Sequence, residues 1–268
     1  VGGAACGYGP CLVYGALVLG ARAGYPGWRV LPVLGTRACG LAHPEGPYVL
    51  DRIYLRHLPE HRPVRMTLAI IAFTVVISLL GLNDQRVFQQ LVFEPYTIHA
   101  RKDWFRFLTH AFLHAHIPHL FVNMFVLFSF GSTLEHSFPA LLGTSSKLPF
   151  LLLYLGGAAF AALPSYKRHM YDPGYRAVGA SGAVSAVLFA YILLFPTAGV
   201  SIIFLPFMGI PAWIFGLLYL AYEYYQYKRG QDNVANDAHF CGALFGLAFI
   251  TVLDPSVWLR LLDQIGVR

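Results

Sequence analysis

The stretch RAVGASGAVSAVLFAYILLFP, residues 176–196, sets Ser181 at the head of an apolar run, with Gly179 and Gly182 on either side. No charged residue falls between Gly179 and Leu194. A run without a polar face reads as a helix surrounded by protein or lipid. A serine at such a start ordinarily caps the helix. It becomes a nucleophile only when a base stands beside it. The reading therefore turns on what the rest of the chain can bring to Ser181.

The composition already restricts the setting. Of 268 residues, 57% are hydrophobic and 12% charged, with a mean hydropathy of +0.56. Soluble domains lie nearer ~45–50% apolar and ~25% charged, so this is the composition of a membrane protein. The net charge is +6, but the basic residues are scattered, which argues against a nucleic-acid partner and for loop and membrane-surface charge. Cys6, Cys11, Cys39 and Cys241 form no CxxC, so neither a disulfide framework nor a zinc site is expected.

Outward from Ser181 the apolar runs recur: 66–82, 119–135, 148–166, 179–196, 200–225 and 238–253, the fifth interrupted by Pro206 and Pro211. Backbone in lipid must satisfy its own hydrogen bonds, so these are expected to be helices. Several fall short of the ~20 residues of a full span and should tilt little. The expected fold is all-α, a polytopic six-helix bundle over 64–255. A poorly ordered leader is expected at 1–63 and a tail at 256–268. Arg52, Arg56, Arg62 and Arg65 favour a cytoplasmic N-terminus, against Lys167, Arg168, Arg176, Lys228 and Arg229. The long connection 83–118 carries Trp104, Phe105, Phe107 and Phe112 among basic residues and histidines, and is expected to lie at the membrane interface.

Titratable groups within spans are costly and mark function. His119 opens the second run, Ser181 the fourth and His239 the sixth. In an up-and-down bundle these three starts share one side of the membrane. Asn123 follows His119 by four residues, on the same helical face. His239, Gly242 and Gly246 share another face, and Gly242/Gly246 is a close-contact stripe. Ser181 and Ser185 form a second small-residue stripe, expected to meet it. That arrangement would bring the imidazole of His239 to the hydroxyl of Ser181, as base to nucleophile. A helix N-terminus supplies backbone donors for an oxyanion, and His119 and Asn123 add side-chain donors. No Asp or Glu is placed to orient His239, Asp237 facing the loop, so the expected machinery is a Ser–His dyad. His110, His114, His116 and His119 lack HExxH or an accompanying carboxylate, so no metal is expected. His110 and His114 are expected to hydrogen-bond within the interfacial loop.

These motifs together resemble the rhomboid intramembrane serine proteases: WFR at 104–106, HxxxN at His119–Asn123, GxxxE at Gly131–Glu135, GASG at 179–182 and HxxGxxxG at 239–246. The resemblance covers about 64–255. It implies a serine endopeptidase that cleaves transmembrane segments, without cofactor, in a lipid bilayer. It implies Ser181 as nucleophile, His239 as base, and an oxyanion site of His119, Asn123 and the Ser181 backbone. Arg106, Glu135, Gly179, Gly242 and Gly246 are implied as structural residues. The fifth span and the loop before it are implied as a substrate gate, and the location as a bacterial inner membrane. Two departures stand out. Ser185 occupies a position where some members carry a tyrosine beneath the base, and Phe105 separates Trp104 from Arg106. An inactive, client-binding relative would lack the serine or histidine, and both are present. A channel or transporter would carry titratable groups deep in several spans rather than at helix starts on one side.

Overall fold

The computed structural model describes residues 65–142, 147–202, 205–229 and 236–267; the expected leader and residues 230–235, between the fifth and sixth runs, lie outside them. Helix α1 spans Arg65–Asn83, and three short helices follow: α2 (Gln85–Leu91), α3 (Pro95–Arg101) and α4 (Arg106–Thr109). Next come α5 (Ile117–Val126) and α6 (Ser132–Leu142), one continuous rod joined through a wider π turn at Leu127–Gly131. The remainder is α7 (Lys147–His169), α8 (Ser181–Leu194), a hairpin of β1 (Gly199–Ile202) and β2 (Leu205–Pro211), α9 (Ala212–Arg229), α10 (Asn236–Leu253) and α11 (Val257–Gln264).

All six apolar runs contain a helix. Among the described residues four helices are long and apolar enough to cross a membrane: Met66–Asn83, Ile117–Leu141, Lys147–His169 and Asn236–Leu253. Helix α8 is apolar but has only 14 residues, and α9 ends in the polar YEYYQYKR. The chain is an integral membrane protein. Its outward faces are apolar, as at Phe73, Phe121, Leu152, Leu217 and Val252.

Helix α8 is the axis of the bundle. Every residue from Gly182 to Leu193 is buried, which its lack of any polar face allows. Small residues let the neighbours close on it. A Cβ at Gly242 or Gly246 of α10 would fall on the carbonyl oxygens of Gly182 and Ala186, and one at Gly157 of α7 would meet the Ala186 Cβ at 2.6 Å. The glycine stripe of α10 thus faces the serine helix as expected. Its counterpart on α8 is Gly182/Ala186, one residue on from the expected Ser181/Ser185. Ser185 turns instead to α9, where its Oγ lies 3.0 Å from the Tyr219 hydroxyl.

The first half of the fifth run is a strand pair, not helix. β1 and β2 are antiparallel, with Val200 opposite Ile210 and an irregularity before Ile202. Pro206 and Pro211 cannot donate in a helix interior, and the β-branched Val200 and Ile202 suit a pleated strand. The hairpin lies beyond Leu194, at the end of α8 opposite Ser181, so that loop does not border the serine. Residues 256–268, expected as a tail, contain α11, whose Val257 is buried against the core.

Glu135 explains how the bundle's first helix is fixed. Its buried carboxylate accepts hydrogen bonds from Met66 N (2.9 Å), Thr67 N (2.8 Å) and Thr67 Oγ1 (2.8 Å). The first two are unpaired amides of the first turn of α1. A carboxylate complements both their hydrogens and the helix dipole, so Glu135 caps α1 from another helix.

Candidate active site

Three helix starts converge, as the up-and-down order requires. The imidazole of His119, near the start of α5, packs on Gly179, where a Cβ would come 2.7 Å from its Cε1. Gly179 also has φ +129°, which disfavours any side chain there. At the start of α10, the Ala238 carbonyl approaches Gly182 to 3.5 Å of where a Cβ would stand. Ser181 is the first residue of α8, and the capping position belongs to Ala180, which makes no side-chain cap. The serine hydroxyl is therefore not consumed by capping, and the first amides of α8 have no partner within the helix. A cavity of about 40 Å³ borders Ser181, Gly182 and Ala238, room for a water or two.

The chain leading into Ser181 is held from the interfacial segment. Phe93 and Ala177 exchange backbone hydrogen bonds of 3.1 and 3.0 Å, and Gly179 N donates to His110 O at 3.1 Å. Ala180 N donates to His114 Nε2 at 3.4 Å, while His114 Nδ1 lies 2.9 Å from Ser78 Oγ, which itself donates to Phe112 O at 2.8 Å. An accepting Nε2 places the His114 proton on Nδ1, so the ring is neutral and joins α1 to the residue before Ser181. His110 Nδ1 pairs with Arg106 O at 2.9 Å. Arg106 is buried, and its Nη1 donates to the carbonyls of Gln89 (2.9 Å) and Val92 (2.8 Å) at the end of α2. Trp104 leans on Phe107 and on Tyr166 of α7, so the inserted Phe105 leaves this anchorage intact.

The neutral histidines have a consequence for acid stability. Burial lowers the pKa of His110 to about 4; burial, then repulsion from His119 and His116, lowers that of His114 to about 3. Unfolded, both take up a proton near 6.5. Their contribution to stability is complete above that pH and is lost as pH falls through 6.5 towards 4 and 3. Each costs about 2 kcal/mol between pH 6.5 and 5. Thermal unfolding in micelles is expected to shift to lower temperature over this range. An unchanged midpoint from pH 7 to pH 5 contradicts it.

Of the oxyanion candidates, Asn123 is buried and its Nδ2 donates to His119 O at 2.9 Å, which spends one of the two amide hydrogens. His119 N donates to His116 Nδ1 at 3.1 Å. His239 is partly buried on the first turn of α10. Its Nδ1 lies 3.1 Å from Oε1 of Glu223, a buried residue of α9. A carboxylate therefore does stand against His239, contrary to the sequence reading. Asp237 turns away to α7, to Arg168 Nη1 (3.3 Å) and Ser165 Oγ (3.4 Å). The signal for Glu223 was present as a lone carboxylate among tyrosines in YEYYQYKR, four residues after Tyr219. No group of three or more metal-ligating side chains assembles among the described residues.

This is a helical membrane protein in which a serine heads a buried helix, with two histidine-bearing helix starts packed against the residues that flank it. The rhomboid domain's family model matches residues 101–255, more than half of the chain, and the chain belongs to the rhomboid family. Among its relatives, RHOMBOID-like protein 12, mitochondrial, of Arabidopsis thaliana is 30% identical over 152 residues, covering 51% of this chain and 42% of the relative. Presenilin-associated rhomboid-like protein, mitochondrial, of Homo sapiens is 30% identical over 152 residues, covering 56% and 38%. Rhomboid protease GluP of Bacillus subtilis (strain 168) is 29% identical over 147 residues, covering 55% and 25%. The matched part thus spans about four-tenths or less of these relatives' length. With two of the three named as mitochondrial, the expected bacterial inner membrane gains no support.

Proposed function

We propose that this chain is an intramembrane serine endopeptidase that cleaves transmembrane segments of membrane proteins. The observation that carries the reading is Ser181 at the uncapped first position of α8, with the starts of α5 and α10 closed on it. His239 takes the Ser181 proton on Nε2 as Oγ attacks the scissile carbonyl. The developing oxyanion accepts hydrogen bonds from the Ser181 N–H, the free Asn123 amide hydrogen and the His119 ring, at the positive end of the α8 dipole. Collapse expels the amine, which receives the proton from His239. Water then hydrolyses the ester on Ser181 by the same steps in reverse order. Arg106, Glu135, Gly179, Gly242 and Gly246 hold the parts in place. The two mitochondrially named relatives favour a mitochondrial membrane as its location.

The test uses the purified chain in micelles, a substrate whose transmembrane helix contains helix-breaking residues, and a fluorophosphonate. Cleavage within the segment, covalent labelling and indifference to chelators are expected. Substrate binding without cleavage or labelling would assign the chain to inactive, client-binding relatives instead, and loss of activity on chelation would overturn the serine mechanism.

A further inference from the structure

On the inner face of α9, Tyr219 and Glu223 are one turn apart and reach different helices. The Tyr219 hydroxyl meets Ser185 of α8 at 3.0 Å, and Glu223 Oε1 meets His239 Nδ1 of α10 at 3.1 Å. The opposite face of α9 is exposed at Leu218, Tyr222 and Tyr225. Glu223 is 4% exposed, and its second oxygen, Oε2, is buried with no hydrogen-bond partner among the described residues. A buried carboxylate left half-satisfied is costly. The group it faces is the ring that acquires a proton when a serine is activated.

We infer that Glu223 is a positioning residue for His239: ionised, it accepts the Nδ1 proton and so directs the unprotonated Nε2 towards Ser181. The inference rests on the proposed Ser–His chemistry and adds a third member to it. The carboxylate fixes the tautomer that can act as base, since an imidazole protonated on Nε2 cannot take the serine proton. It also faces the imidazolium that forms when His239 accepts that proton, so its charge is matched during the reaction more fully than at rest. Tyr219 keeps the helix in register. Its hydroxyl sits on Ser185, so that α9, not α8, supplies the aromatic next to the serine helix.

The experiment is 15N NMR of histidine-labelled full-length chain in micelles, with the His239 signal identified by its loss in His239→Gln. At neutral pH the wild type is expected to carry the His239 proton on Nδ1, and Glu223→Gln to lose that preference. In cleavage assays Glu223→Gln is expected to lower kcat about 100-fold or more, as for loss of the orienting carboxylate in other Ser–His systems. KM and the melting midpoint should be unchanged, and Glu223→Asp should restore part of the rate. A wild-type His239 protonated on Nε2, or a Glu223→Gln kcat within about threefold of wild type, overturns the inference. Should the wild type cleave nothing, the protease reading fails on its own, and the tautomer measurement still decides the role of Glu223. Should Glu223→Gln fail to fold, the wild-type spectrum decides it alone.

Discussion

Ser181→Ala is expected to abolish both cleavage and fluorophosphonate labelling, and His239→Ala to do the same. The alanine at 181 removes the hydroxyl proposed to form the acyl bond. The alanine at 239 leaves a hydroxyl that is inert at its own pKa. Members of such a pair fail together, each removal costing on the order of 10⁶ in kcat in serine proteases. Asn123→Ala separates donors from nucleophile. Removing one oxyanion donor costs ~10²–10³ where that donor acts alone. With His119 and the Ser181 amide still in place, the loss should be smaller and labelling should persist. One cleavage assay across the three variants checks this. Residual cutting by Ser181→Ala would falsify the assignment of nucleophile.

Gly242→Leu and Gly246→Leu are expected to lower activity about 100-fold while membrane insertion is retained. The atoms that a side chain would strike are the carbonyls of Gly182 and Ala186, which cannot rotate away as a side-chain tip can. The helices must separate instead, at about 1–3 kcal/mol for overpacking of this kind. His239 stands one turn from Gly242 and Ser181 beside Gly182, so the separation passes directly into the distance between them. A misplacement of ~1 Å costs about 10²-fold in rate. Cleavage rates beside a membrane-fraction assay measure both halves. Full activity in both variants means that the contact is dispensable.

The sequence carried much of this arrangement because membrane helices announce themselves by length and by the cost of polar groups. The convergence of the starts of α5, α8 and α10 followed from counting spans, and the Gly242/Gly246 stripe from spacing alone. Three features did not follow. The run 200–225 reads as one helical span interrupted at Pro206 and Pro211 because backbone in lipid must be helical, yet a hairpin at the end of the bundle escapes that constraint. The contact register on α8 was one residue out, because Ser181, Gly182, Ser185 and Ala186 are all small and spacing cannot choose between the two stripes. Glu223 was missed because it sits 16 residues before His239, across a helix connection, in a stretch that reads as the polar end of a span. Pairing between neighbouring helices depends on their rotation about their axes, which sequence periodicity gives only for apolar faces.

The fourteen residues of α8 measure about 21 Å at ~1.5 Å per residue. A hydrocarbon layer of ~30 Å is about 9 Å thicker. Because α8 is sheathed by other helices, neither of its ends has to meet lipid, and its terminal amides can face solvent without breaching the bilayer's demand for closed backbone. The centre of the fold is thus shorter than the layer around it: the longer helices about α8 carry the contact with hydrocarbon, while Gly182–Leu193 of the serine helix stay buried in protein.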